Sequence, residues 1–189
     1  MELSFIDNLG QIQHDDKRNI QEKYRWWDHA DIVEDLESKR SEVVSVFLNI
    51  DGDFNISSGI RSNLWFNTHG TWIAGKKKYD KRGTVGAHLY TDVNHNLNPL
   101  ELLGELRADG YRLVAAEITD DAVPLTTYQW QDKSAIIFGE EGLGLSEDVL
   151  AIVDDIVYIP GNGSVRSLNV ATTSGIFLYD LSLIHISEP

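Results

Sequence analysis

Residues 43–50 read VVSVFLNI, an almost unbroken apolar run. It is far too short to span a membrane, which takes about 20 residues of helix. A strand that is apolar on both faces must be covered on both faces, as strands of parallel sheets are. Beyond this run the chain alternates between helical and extended patterns. Residues 55–67 read as a helix, 71–74 as a short strand and 86–90 as another strand. Residues 99–108 (PLELLGELRA) form an amphipathic helix, with Asn98 as N-cap, Pro99 at the first helical position and Gly110 past its end. Residues 111–118 and 134–138 read as strands, 156–159 as a short strand before Pro160, and 167–179 as a closing helix. This alternation predicts an α/β fold with a mainly parallel central sheet. Ahead of it, residues 11–40 are polar with scattered aromatics. Ile20, Tyr24 and Trp27, then Ile32 and Leu36, stand at roughly helical spacing and predict one or two helices, packed on the domain or, as the alternative, serving as a dimer or RNA contact.

Composition narrows the chemistry. The chain has 189 residues, 42% of them hydrophobic, which suits one domain with a short extension. One methionine and no cysteine exclude a disulfide scaffold, a cysteine nucleophile and thiolate zinc sites. No basic leader precedes an apolar stretch, and no apolar run reaches membrane-spanning length, so a soluble cytoplasmic protein is expected. The formal net charge is −14, so any surface for nucleic-acid phosphates must be local. The candidate is the cluster Lys76, Lys77, Lys78, Lys81 and Arg82 between Gly75 and Gly83, which also fits a solvated loop. The last nine residues, LSLIHISEP, resemble the in-frame translation of a transposase adaptor used in sequencing libraries. They are read as non-native, with a natural chain expected to continue differently after Asp180. The expected organisation is a helical extension over 1–40, a domain over 41–180 and this tail over 181–189.

Ligands of open α/β sheets bind outside the carboxyl ends of the strands. The loops after Ile50, Phe138 and Ile159 are therefore the places to look. After the first comes Asn55-Ile-Ser-Ser-Gly-Ile-Arg61, with Asn55 where an N-cap belongs and Arg61 inside the helix. The second carries Phe138-Gly-Glu-Glu-Gly-Leu-Gly-Leu-Ser146, whose glycines permit close backbone approach to a ligand. It fits neither the dinucleotide fingerprint nor a phosphate loop, which weakens a reading as an unrelated nucleotide-binding protein. Ser146, with Glu147 and Asp148, is placed to cap a following helix. The third reads Ile159-Pro-Gly-Asn-Gly-Ser-Val-Arg-Ser-Leu-Asn-Val-Ala171, with Ser167 as a candidate cap and Asn169 near a helix start. Each segment alone is explained by turns and caps. His88, Asp92 and His95 lie in a loop and do not make a metal signature, and turn chemistry around Gly52 accounts for Asp51 and Asp53.

Taken in order, N-x5-R, F-G-x-E-x-x-G-L-S and I-P-x-x-G…S-L-N-V, the three segments resemble the SpoU/TrmH class of RNA 2′-O-ribose methyltransferases in the SPOUT superfamily. The resemblance covers residues 43–180. Two positions depart from the usual pattern: Ser57 where many members have glycine, and Ala171 in place of a final serine. The resemblance implies an α/β knot, a homodimer with the active site at its interface, and S-adenosylmethionine as cofactor. It assigns Gly139, Ile159 and Leu168, with Gly142, Gly144 and Ser167 nearby, to cofactor binding. It assigns Asn55, Arg61, Glu141, Ser167 and Asn169 to catalysis, with Glu141 as ionic partner of Arg61 within or across the dimer. The substrate is RNA, with transfer RNA favoured over ribosomal RNA because the added N-terminal RNA-binding domain of several ribosomal members is lacking. No metal and no membrane are implied. A guanidinium is too basic to lose its proton readily, so Arg61 is read as orienting the hydroxyl or a phosphate, and as a base only if strongly perturbed. The rival on the same fold is an RNA-binding protein without turnover.

Overall fold

The computed structural model describes residues 5–6, 12–13, 17–76 and 78–186. A two-stranded antiparallel pair, β1 (Phe5–Ile6) and β2 (Ile12–Gln13), comes first. Then follow α1 (His29–Glu37), β3 (Ser41–Leu48), α2 (Asp53–Trp65), β4 (Thr68–Ala74) and β5 (Val93–Asn96). The chain continues through α3 (Pro99–Ala108), β6 (Arg112–Ala116), β7 (Val123–Pro124) and β8 (Ser134–Phe138). It closes with α4 (Glu147–Leu150), β9 (Asp155–Tyr158) and α5 (Val170–Ile186). Strands β3 to β9 form one seven-stranded sheet in the order β5-β4-β3-β8-β6-β9-β7, and every pairing in it is parallel.

The apolar run at 43–50 has its explanation in this architecture. Val43 and Phe47 point to one layer, where Ile56 and Ile60 of α2 and Phe177 and Leu178 of α5 cover them. Val44, Val46 and Leu48 point to the other, under Leu102, Leu103 and Leu106 of α3 and Val149 of α4. Alternate side chains meet opposite layers, so both must be apolar. The one buried serine in the run is satisfied. Ser45 Oγ donates to Asn63 Oδ1 at 2.9 Å, Thr68 Oγ1 donates to the same oxygen at 2.7 Å, and Asn63 Nδ2 donates to the Gly59 carbonyl at 3.0 Å.

Residues 20–40 pack on the domain. A short turn at Glu22–Tyr24 and α1 bring Tyr24 and Ile32 against Tyr90. Arg40, with its side chain 4% exposed, pairs with Glu37 at 2.8 Å and Asp92 at 2.9 Å, tying α1 to the start of β5. Helix α3 keeps the expected caps, with Asn98 Oδ1 accepting from the Glu101 N–H.

Four local expectations are corrected. Residues 86–90 are not a strand: Val85 and Gly86 both adopt positive φ (50° and 86°), which breaks extension, and a 3₁₀ turn at Ala87–Leu89 follows. The edge strand is β5 instead. Asn55 is not the N-cap of α2, because Gly52 holds that place and Asn55 lies in the first turn. Ser167 does not cap α5; Asn169 does, its Oδ1 accepting from the N–H groups of Ala171 at 2.9 Å and Thr172 at 3.3 Å. Ser146 stands at the N-cap of α4 without a side-chain cap bond, leaving Glu147 and Asp148 to complement the helix end. Helix α5 runs past Asp180, and Leu181 is buried in the core.

Candidate active site

The parallel sheet puts the carboxyl ends of β3, β6, β8 and β9 on one edge, and the loops after them converge there. The loops after β6, β8 and β9 enclose a cleft of about 910 Å³, within the upper range for small-molecule sites. Gly139, Glu141, Gly142, Gly144, Ile159, Ser167, Leu168 and Asn169 all line it. The structure brings all six residues expected to bind the cofactor, Gly139, Gly142, Gly144, Ile159, Ser167 and Leu168, to one cavity.

The glycine loop after β8 folds back on itself. Gly144 N–H donates to the Glu140 carbonyl at 2.9 Å. A Cβ on Gly139 would stand 2.5 Å from the Gly144 carbonyl carbon, so only glycine lets the two limbs close. Apolar side chains flank the backbone: Leu143 is 83% exposed and Leu168 46%. Open apolar side chains beside accessible backbone groups suit a flat heterocycle held by main-chain hydrogen bonds. The donor set fits S-adenosylmethionine, with Gly139, Gly142, Gly144, Ile159 and Leu168 as the residues that would hold its adenosine.

At the rim of the cleft the three motifs are joined by hydrogen bonds. Asn55 Nδ2 donates to Glu141 Oε1 at 2.6 Å, and Asn55 Oδ1 accepts from Asn169 Nδ2 at 3.0 Å. The Asp51 N–H donates to Glu141 Oε2 at 2.9 Å. Desolvation is the largest influence on the Glu141 carboxyl and pushes it up. The Asn55 amide and the backbone N–H groups of Asp51, Glu141 and Gly52 together outweigh it and hold Glu141 below its ordinary carboxylate range.

Arg61 stands elsewhere. Six residues along α2 from Asn55, it is rotated by about 120° and displaced by about 9 Å along the axis. It lines a separate hollow with Tyr24, Leu36, Trp65 and Tyr90. The expected ion pair with Glu141 does not form within the chain; Glu141 is engaged by Asn55 and Asp51 instead. Ser167 is exposed at the cleft wall.

Of the basic cluster, Lys76, Lys78, Lys81 and Arg82 are exposed, and Lys77 lies outside the described residues. Asp80 takes up Arg82 with contacts of 2.6 and 3.0 Å, which partly neutralises the cluster. The loop is anchored to α2, where Ser57 Oγ lies 2.7 Å from the Asp80 carbonyl. His88 is drawn into this region, bonded to Thr84 Oγ1 and edge-on to Tyr79. Burial, then the nearby Lys81, lowers its pKa.

Among the cleft residues outside the three motifs, one is a carboxylate the sequence reading missed. Glu117, the first residue beyond β6, lines the cavity and accepts from the Leu145 N–H at 3.0 Å. The rule that ligands gather at strand carboxyl ends applied equally to this strand and would have found it.

The sequence profile of the SpoU rRNA Methylase family matches residues 42–179. The chain belongs to this family. The SpoU match begins within β3 and ends within α5, so it takes in the whole sheet and both layers. Over 155 residues the chain is 23% identical to the tRNA (guanosine(18)-2′-O)-methyltransferase of Escherichia coli (strain K12), covering 80% of this chain and 68% of that protein. The protein of the same name from Borreliella burgdorferi is 33% identical over 98 residues, 52% of this chain and 45% of its own length. Among solved structures, the A. aeolicus TrmH/SpoU tRNA modifying enzyme superposes with a TM-score of 0.77 at 23% identity, over 85% of this chain and 83% of that one. The SpoU methyltransferase AviRb from Streptomyces viridochromogenes, in complex with AdoMet, superposes with a TM-score of 0.70 at 27% identity, over 78% and 62%.

Proposed function

We propose that this SpoU chain transfers a methyl group from S-adenosylmethionine to a ribose 2′-hydroxyl of RNA, with transfer RNA as the substrate class. The observation that carries the reading is the bridge from Glu141 through Asn55 to Asn169 at the rim of the glycine cleft. One residue from each motif is held there in a single network, beside a cavity of cofactor size. The names of the similar proteins support transfer RNA.

The cofactor supplies a methyl group made electrophilic by a sulfonium. The protein has to align an oxygen behind that methyl and exclude competing water. Alignment alone is worth up to about 7–11 kcal/mol of barrier. Asn55 and Asn169 present amide groups at the rim, and Glu141 fixes the Asn55 amide. Ser167 adds a hydroxyl to the cleft wall. Arg61 stays protonated and orients the hydroxyl or a neighbouring phosphate.

Arg61 faces away from the cleft of its own chain, and this supports a homodimer in which each cleft receives Arg61 from the partner. Trp65 and Phe54 of α2, 70% and 62% exposed, supply apolar surface for such a contact. Lys76, Lys77, Lys78, Lys81 and Arg82 extend the surface offered to RNA. Residues 41–180 form the methyltransferase unit, residues 1–40 are an extension whose Tyr24 and Ile32 pack on it, and residues 181–189 are an added tail whose Leu181 packs into the core. The family knot belongs to this reading: β8 enters between β3 and β6, and β9 between β6 and β7, as late strands of a threaded C-terminal segment do. Among the described residues no helix is long and apolar enough to cross a membrane, and a cytoplasmic site of action goes with the substrate.

Calorimetric titration with S-adenosylhomocysteine tests the cofactor site. Wild type is expected to bind in the micromolar range, about −8 kcal/mol, and Leu168→Glu, which puts a charge on the apolar wall, to lose most of that binding. Wild type that is folded and does not bind would remove the enzyme reading and leave an RNA-binding protein.

A further inference from the structure

We propose that Glu117 is a positioning residue that braces the glycine loop in its ligand-holding shape; the ligand part of this claim rests on the reading of the cleft as the S-adenosylmethionine site. Strand β6 ends at Ala116, and the Glu117 N–H donates to the Val157 carbonyl at 3.1 Å, which fixes its backbone to β9. Its carboxylate is then used twice. Oε1 accepts from the Ile118 N–H at 2.8 Å, and Oε2 reaches across to the Leu145 N–H at 3.0 Å. The second bond joins residues 28 apart in sequence, at the point where the loop re-enters the core.

The loop is shaped to receive this carboxylate. Gly144 has φ +70° and lies directly against Glu117 Oε2, so that a Cβ there would collide with it. Glycine at 144 therefore answers two demands, a left-handed backbone and room for the brace. Leu145 is buried among the residues under α4, while Leu143, two residues before it, is fully out in the cleft. Fixing the Leu145 amide sets the direction in which Leu143 and the Gly142 backbone project. A carboxylate makes a stronger acceptor for this purpose than a neutral group. Glu117 lines the same cavity as Gly139, Ile159 and Leu168, so any slack in the brace is slack in the binding surface.

Two measurements on the full chain test this. The first needs no ligand: amide hydrogen exchange at Leu145 is expected to quicken in Glu117→Ala and to stay nearer wild type in Glu117→Gln, whose single amide oxygen keeps the Leu145 N–H and gives up the local bond to the Ile118 N–H. The second is calorimetry with S-adenosylhomocysteine. Glu117→Ala is expected to bind about tenfold or more weakly, with Glu117→Gln within about threefold of wild type and thermal midpoints of all three close together. The double variant Glu117→Ala/Gly144→Ala is expected to bind no more weakly than Gly144→Ala alone, because the two changes break one contact. Unchanged Leu145 exchange in Glu117→Ala overturns the brace. So does Glu117→Gln failing as badly as Glu117→Ala, since charge rather than bracing would then be at work. If exchange behaves as expected but wild type binds no S-adenosylhomocysteine, the brace stands and the cofactor reading falls.

Discussion

Asn55 has a donor end and an acceptor end, and the fold uses both. Its amide nitrogen is committed to Glu141 and its oxygen to Asn169. Its orientation is thus set by two segments 86 and 114 residues away. Glu141→Gln changes one atom and breaks this arrangement: the new amide accepts from only one of Asn55 and the Asp51 N–H. We expect the turnover number to fall by about 10²-fold, the scale of a misplaced reacting group, with little change in S-adenosylhomocysteine affinity. Because Glu141 is held below the ordinary carboxylate range, its ionised form persists as pH falls through about 4.3, the free value. Its contribution to stability is present above the unfolded pKa and is lost only as pH drops through the lower folded one. Steady-state kinetics across the acid range, with a parallel melting curve, checks both statements. At this scale the sequence revealed the residues and not their pairing. The glycines of the cleft loop were legible because tight loops need glycine locally, whatever lies far away. The Asn55–Glu141 contact was not, because it depends on the phase of α2 relative to a distant loop. The same phase turned Arg61 away from the Glu141 to which charge alone would assign it.

Among elements, the contact of α2 with β3 positions the site most directly. Gly59 lets the helix lie flat on Phe47, and a Cβ at 59 would fall within the phenylalanine ring. Alanine favours helix over glycine by about 1 kcal/mol, yet Gly59→Ala is expected to destabilise the protein by about 1–3 kcal/mol, the range for overpacking a full core. Urea unfolding measures it, and a stabilised variant would contradict the packing. The strands with covered faces, β3 and β8, were legible from their apolar runs. Edge strand β5 (VNHN) was not, because an edge strand half open to water has no apolar run to betray it. The more apolar GAHLY sequence just before it imitates a strand. Its backbone is curled by the left-handed Val85 and Gly86, a conformation that a valine gives no reason to expect.

For the whole molecule, the proposed homodimer needs two chains to make one complete site. Arg61 and the cleft do not meet within a chain, so variants that damage each separately should complement. Mixed and refolded Arg61→Ala and Glu141→Ala chains are expected to regain roughly a quarter of wild-type activity, since half of randomly paired dimers carry one intact site of two. No recovery in verified mixed dimers would place Arg61 and Glu141 in the same site of one chain. The net charge of −14 adds a further constraint at this scale. On the proposed reading, affinity for RNA comes from a local cationic track rather than from overall attraction, and the exposed Lys76, Lys78 and Lys81 are the proposed track.

Methyl transfer itself is the central claim. Purified protein is incubated with labelled S-adenosylmethionine and bulk transfer RNA, and the RNA is then digested to nucleosides. Label is expected in 2′-O-methylated nucleosides, incorporated far more slowly by Glu141→Gln. Label on a base, or none at all from a protein that binds S-adenosylhomocysteine, would contradict it.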